Sequence, residues 1–202
     1  MAERTLIHEK LKEAGVGAFF RPRDIETLGF SFRDLKRLVD ARKVEKITAG
    51  LYRLRSVKPN EFETLAMTAV IFRNGIVCLL SALSYYGIGT QIPHEIWIAI
   101  DRKARKPSPT ITKVRLVRFS GIMLSYGIVT QDILGVQVRI TSPSRTVVDC
   151  FRYRNKIGID VAIEALRDAI QSRKASVNEI IRTAEVCRVS TVIRPYLEAL
   201  VA

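Results

Sequence analysis

Between Ser31 and Leu54 the chain reads SFRDLKRLVDARKVEKITAGLYRL, and this stretch constrains its fold more than any other. Ser31 and Asp34 have the S-x-x-[DE] spacing of a capping box, in which hydroxyl and carboxylate each satisfy a backbone N–H left unpaired at a helix start. A helix therefore begins at Ser31. Phe32, Leu35, Leu38 and Val39 fall on one side of it, and Arg33, Lys36, Arg37 and Asp40 on the other. Two short strands are predicted next, VEKI (44–47) and LYRL (51–54). They are joined by a three-residue loop, Thr48-Ala49-Gly50, with glycine at the left-handed position.

The residues upstream extend the pattern. Leu6, Ile7, Leu11 and Ala14 recur at helical spacing, and Gly15 and Gly17 end that helix. In RPRDIETLG (21–29), Pro22 suits a first helical position, Asp24 and Glu26 suit the positive end of a helix, and Gly29 breaks the chain. Two short helices around a glycine-containing turn make a helix-turn-helix, and with the hairpin they have the order of a winged helix. In that fold the second helix enters the major groove and the wing lies along a neighbouring backbone. A basic helix face is, by itself, an ordinary solvated face. Here Arg42, Lys43 and Lys46 continue it into the hairpin, and that continuity points to DNA.

Charge agrees with a polyanionic partner. The 202 residues hold 33 Lys and Arg against 20 Asp and Glu, a net +13, and the excess is spread over both halves rather than held in a tail. Cys78, Cys150 and Cys187 stand far apart with no C-x-x-C pair, as buried small hydrophobes in a reducing compartment do. The start lacks the apolar core of a signal peptide, and the longest apolar runs are strand-sized, so a cytoplasmic protein with no membrane partner is expected.

RSVKPNE (55–61) interrupts both periodicities, which places a winged helix-turn-helix domain at 1–56 and a larger domain at 60–202. In the second domain a helix is predicted over Glu61–Arg73, and another within GIVCLLSALSYYGIG (75–89), with Ser81 as its N-cap and Gly87 as its stop. EIWIAID, KVRLVRF and VQVRI read as strands, the last two alternating between a covered and a wet face. Ser142-Pro143 opens a helix through about Arg154. Ile159 to Ile170 mark the next, Ser176 with Glu179 caps a third, and Pro195 begins a terminal one. The fold class is α+β.

Motifs for catalysis are missing. His8 and His94 have no partner at metal-ligand spacing, and neither a Walker A loop nor a G-x-S-x-G elbow occurs, so no enzyme, no metal and no cofactor is expected. Trp97 reads as core. DRKARKPSPTITKVRLVR (101–118) reads as a solvated basic loop and strand face, with a second polyanion contact as its sharper alternative. In SPSRTVVD (142–149), Arg145 and Asp149 are four residues apart on one helix, within reach of each other.

GVGAFFRPRDIETLGFSFRDLKRLVDARKVEKITAGLYRL resembles the winged-helix domain of the AbiEi-type antitoxins. SAL-x-x-x-G, P-x-x-x-W-I-A and SP-x-RT-x-x-D resemble marker segments of their C-terminal domain, in the family's order, over most of residues 15–170. The resemblance implies an antitoxin that represses its own operon by binding inverted repeats in double-stranded DNA. It also implies neutralisation of a companion nucleotidyltransferase-like toxin, with or without direct contact. Ser31, Arg33, Lys36, Arg37 and Lys46 would contact DNA, with Arg42, Lys43 and Thr48 beside them, and Ser81, Arg145 and Asp149 would mark the second domain's framework. Two other readings stay open: a winged-helix regulator whose second domain senses a ligand or dimerises, and a nuclease-like enzyme with a winged-helix targeting domain.

Overall fold

The structure, a computed structural model, describes residues 10–11, 13–105 and 111–201. Of the expected first helix, Leu6 and Ile7 lie outside the described residues, as does part of the basic loop before Ile111. Lys10, Leu11 and Glu13 are helical. The chain is α+β, as expected, and divides into two compact units.

Among the described residues, the first unit comprises 10–11, 13–73, 111 and 131–138. Its elements are β1 (Phe19–Phe20), α1 (Pro22–Glu26), α2 (Phe32–Asp40), β2 (Val44–Thr48), β3 (Leu51–Leu54) and α3 (Glu63–Ile71). The capping box at Ser31 forms as expected: the Ser31 hydroxyl accepts from the Asp34 amide, and the Asp34 carboxylate accepts from the Ser31 amide at 2.9 Å. The strands make one antiparallel sheet in the order β1-β3-β2. The hairpin loop is shorter than predicted, because Thr48 pairs with Leu51 across a bulge after Lys46 and leaves only Ala49-Gly50 to turn, with Gly50 at φ +76°. Leu11, Phe20, Ile25, Leu35, Leu38, Val44, Tyr52 and Leu54 form the core, with Phe30 and Val39 packed against it.

This unit is larger than the 1–56 segment expected from the sequence, for an electrostatic reason. Arg53 Nε donates to Glu63 Oε1 at 2.6 Å, Arg21 donates to the Ile71 carbonyl at 2.8 Å, and Arg73 pairs with Asp24. These bonds tie both ends of α3 to β3 and α1. The segment 131–138 joins the same unit because the Ala18 amide donates to the Leu134 carbonyl at 2.7 Å, beside Gly17. A Cβ on Gly17 would lie 2.5 Å from the Gly135 carbonyl, so only glycine permits this approach.

Among the described residues, the second unit comprises 74–105, 112–130 and 139–201. Its elements are β4 (Ile76–Val77), α4 (Leu79–Tyr86), β5 (Ile96–Asp101), β6 (Val114–Phe119), a 3₁₀ turn (Gly121–Leu124), β7 (Ile128–Ile133), β8 (Val136–Thr141), α5 (Pro143–Arg152), α6 (Arg154–Ile157), α7 (Ile159–Gln171), α8 (Val177–Val186) and α9 (Ser190–Val201). The end of β7 and the start of β8 belong to the first unit. The sheet order is β6-β5-β4-β8-β7, mixed rather than antiparallel: β5 pairs β6 and β4 pairs β8 in parallel, and β4 pairs β5 antiparallel. Helix α5 is buried from Arg145 through Phe151 and packs against α4, α7, α8 and α9.

Three sequence expectations change here. Ser81 is not an N-cap. Cys78 takes that place in extended backbone, and Ser81 lies inside α4, where its hydroxyl accepts from the Trp97 amide at 2.9 Å. The apolar run carries no boundary signal before Cys78, and its first small polar residue falls inside the helix rather than at its start. Pro195 lies within α9, which begins five residues earlier at Ser190; a proline removes one N–H from a helix without being required to start it. The helix opened by Ser142-Pro143 ends at Arg152, with Tyr153 as its cap. Trp97 and the three cysteines are buried, as expected. Among the described residues no helix is long and apolar enough to cross a membrane.

Candidate nucleic-acid interface

Helix α2 presents two opposite faces, and the buried one holds it in place. Leu35 and Leu38 are each 1% exposed in the core, while Arg33, Lys36, Arg37 and Asp40 face solvent. The chain leaves α2 through a tight turn in which the Lys43 amide donates to the Leu38 carbonyl, and Arg42 takes a positive φ of 55°. This turn delivers Arg42, Lys43 and Lys46, all exposed, immediately after the helix, and Thr48 is exposed at the hairpin end. The Arg55 amide bonds the Lys43 carbonyl and clamps the strand ends together.

Two of the three acids within this segment, Asp34 and Glu45, are already engaged, and Asp40 is exposed. The Ser31 hydroxyl and amide hold the Asp34 carboxyl below its ordinary range, with Arg37 and Arg33 adding to the effect, so it stays an anion committed to the cap. Its second contact is Arg37 at 3.7 Å. Glu45 pairs with Arg55 at 3.6 Å. Arg33, Lys36, Arg42, Lys43 and Lys46 make no ion pair among the described residues. Exposed and uncompensated, these five can exchange small counterions for a polyanion's phosphates. All eight residues expected at this interface (Ser31, Arg33, Lys36, Arg37, Arg42, Lys43, Lys46 and Thr48) lie in the first unit, on one helix with its cap, the turn that leaves it and the strand that follows.

The motif residues of the second unit are of another kind. Arg145 is fully buried, and its Nε reaches both oxygens of the fully buried Asp149 at 3.0 Å. Its remaining N–H groups donate to the carbonyls of Tyr126 and Met123, and its guanidinium lies 5.3 Å from the Phe119 ring centroid. A Cβ on Gly127 would sit 2.8 Å from Arg145 Cβ, so the 3₁₀ turn and β7 wrap closely around this side chain. Burial pushes the Asp149 carboxyl up to about 6, while the charge and hydrogen bonds of Arg145 oppose it. The pair is an internal strut with no solvent face. Ser81 is bonded to Trp97 rather than to the pair.

The groups receiving Arg145 went unseen in the sequence because Met123 and Tyr126 contribute backbone carbonyls, which carry no residue signature. Among the described residues no group of three or more His, Cys, Asp and Glu could hold a metal ion. On the basic loop and strand, Arg115 stacks 4.9 Å from the Trp97 ring centroid and pairs with Glu95, and Arg118 donates to the carbonyls of Asp101 and Ala104. Those two arginines are occupied. No protein-family model matches the chain, and no curated protein is similar to it.

Proposed function

We propose that the chain is a DNA-binding regulator that reads duplex DNA through α2 and lies along an adjacent backbone with the β2–β3 hairpin. One observation carries this reading: five exposed cations without an ion pair among the described residues, on a helix, the turn that leaves it and the hairpin strand that follows. Helix, turn, helix and antiparallel hairpin is the order of a winged helix, which places its second helix in the major groove. The resemblance to AbiEi-type antitoxins supports a narrower form, in which the regulator represses its own operon and the second unit neutralises a nucleotidyltransferase-like toxin.

The test is binding to the DNA upstream of its own gene as salt is varied. Each phosphate neutralised contributes about 0.9 to the slope of log affinity against log salt, so several contacts give a slope steeper than about −3. Affinity independent of salt, or no binding to that DNA, overturns the proposal.

A further inference from the structure

Phe32 is the first residue of α2, and it is 62% exposed. The helical pattern of the sequence put it with Leu35, Leu38 and Val39 on the buried face, and the structure does not. The reason is geometric. Helical side chains lean towards the N-terminus, so a residue in the first position covers ground beyond the helix end rather than the layer beneath it. The hydrophobic contact that usually secures a capping box is made instead by Phe30, the residue before the cap, which packs on the core that contains Leu35. Phe32 makes no ring or cation contact among the described residues.

Its neighbours are charged. Lys36 stands one turn along the helix and Arg33 is adjacent in sequence, both exposed. An aromatic ring projecting from the start of a helix that also carries the exposed, unpaired Arg33 and Lys36 meets a specific chemistry if that helix enters a major groove. Phosphates take the cations, and the apolar group offered by base edges in the major groove is the thymine 5-methyl. We infer that Phe32 is a specificity-determining residue that packs on a thymine methyl of the DNA site. This rests on the DNA-binding reading above and adds a base preference to it.

The experiment selects duplexes from a random-sequence pool with the full chain, then replaces each thymine of the selected site by uracil, which removes only the methyl. One position should weaken wild-type binding about four-fold, the equivalent of about 0.8 kcal/mol for one buried methyl-sized group. Phe32→Ala should bind thymine and uracil duplexes equally while keeping the wild-type salt slope and melting temperature, since its side chain supports no core. A selected site without a fixed thymine overturns the inference, as does uracil tolerance at every position or discrimination that survives in Phe32→Ala. In those cases salt-dependent binding still stands and the DNA-binding reading survives. If no duplex is enriched, both fall.

Discussion

Replacing Arg145 with methionine isolates what the buried ion pair does for the second unit. Methionine is unbranched and of similar reach but carries no N–H, so Asp149 loses both 3.0 Å bonds, and the carbonyls of Tyr126 and Met123 lose their donor. Removing one partner of a buried pair leaves an uncompensated charge and costs about 3–5 kcal/mol. With a urea dependence of about 2–3 kcal/mol/M, the unfolding midpoint should fall by roughly 1–2.5 M. Trp97, the single tryptophan, is buried in the same core and reports the transition by fluorescence.

The pH dependence tests the cause. Burial lifts the folded-state value of Asp149 to about 6, above its ordinary 3.8, so the folded chain holds this proton more tightly than the unfolded one. The penalty for burying the charge is therefore present in full above pH 6 and fades as pH falls towards 3.8. Without Arg145, whose charge and hydrogen bonds lower the value, the window moves upward. The loss in Arg145→Met should then be larger at pH 8 than at pH 5, and adding Asp149→Leu should recover much of it. An equal loss at the two pH values, or a double variant as unstable as the single one, would refute the argument from an unpaired charge.

Changing Arg33, Lys36 and Arg37 together to Ala should abolish sequence-selective binding with little change in melting, because all three are exposed; growth rescue from a nucleotidyltransferase-like toxin, measured beside promoter activity, should persist if the second unit acts independently. Gly17→Ala should destabilise the first unit by about 1–3 kcal/mol, the usual penalty of overpacking, because its Cβ falls 2.5 Å from the Gly135 backbone; an unchanged melting temperature counts against that close approach. Ser31→Ala removes the hydroxyl half of the capping box and should cost about 1 kcal/mol by denaturant titration.

What could be read from the sequence alone was local. The capping boxes at Ser31 and Ser176, the Ser142-Pro143 start and the left-handed Gly87 stop involve groups no more than four residues apart, so spacing suffices to find them. The cations of α2 and the hairpin were legible for the same reason: 3.6-residue periodicity puts Leu35 and Leu38 inward and leaves Arg33, Lys36 and Arg37 outward. Periodicity failed at Phe32, because it describes a helix of indefinite length and has no term for the end, where the layer beneath runs out.

The long-range choices belonged to the tertiary structure. The strand Ile128–Ile133 lies at a sheet edge, and its mixed sequence IVTQDI lacks the alternation of a strand with one face buried. The two residues Ile76–Val77 are too short to announce themselves, yet they form the middle strand of the five. Helix α3 follows a polar, proline-containing break and still joins the first unit, because Arg53 and Arg21 find their partners 10 and 50 residues away. Arg145 is the clearest case. Its spacing to Asp149 could be counted in the sequence, but a solvated helical pair and a buried strut share that spacing. Only the wrapping of 121–128 around the guanidinium, with backbone carbonyls as acceptors and no room for a side chain at Gly127, made it the second.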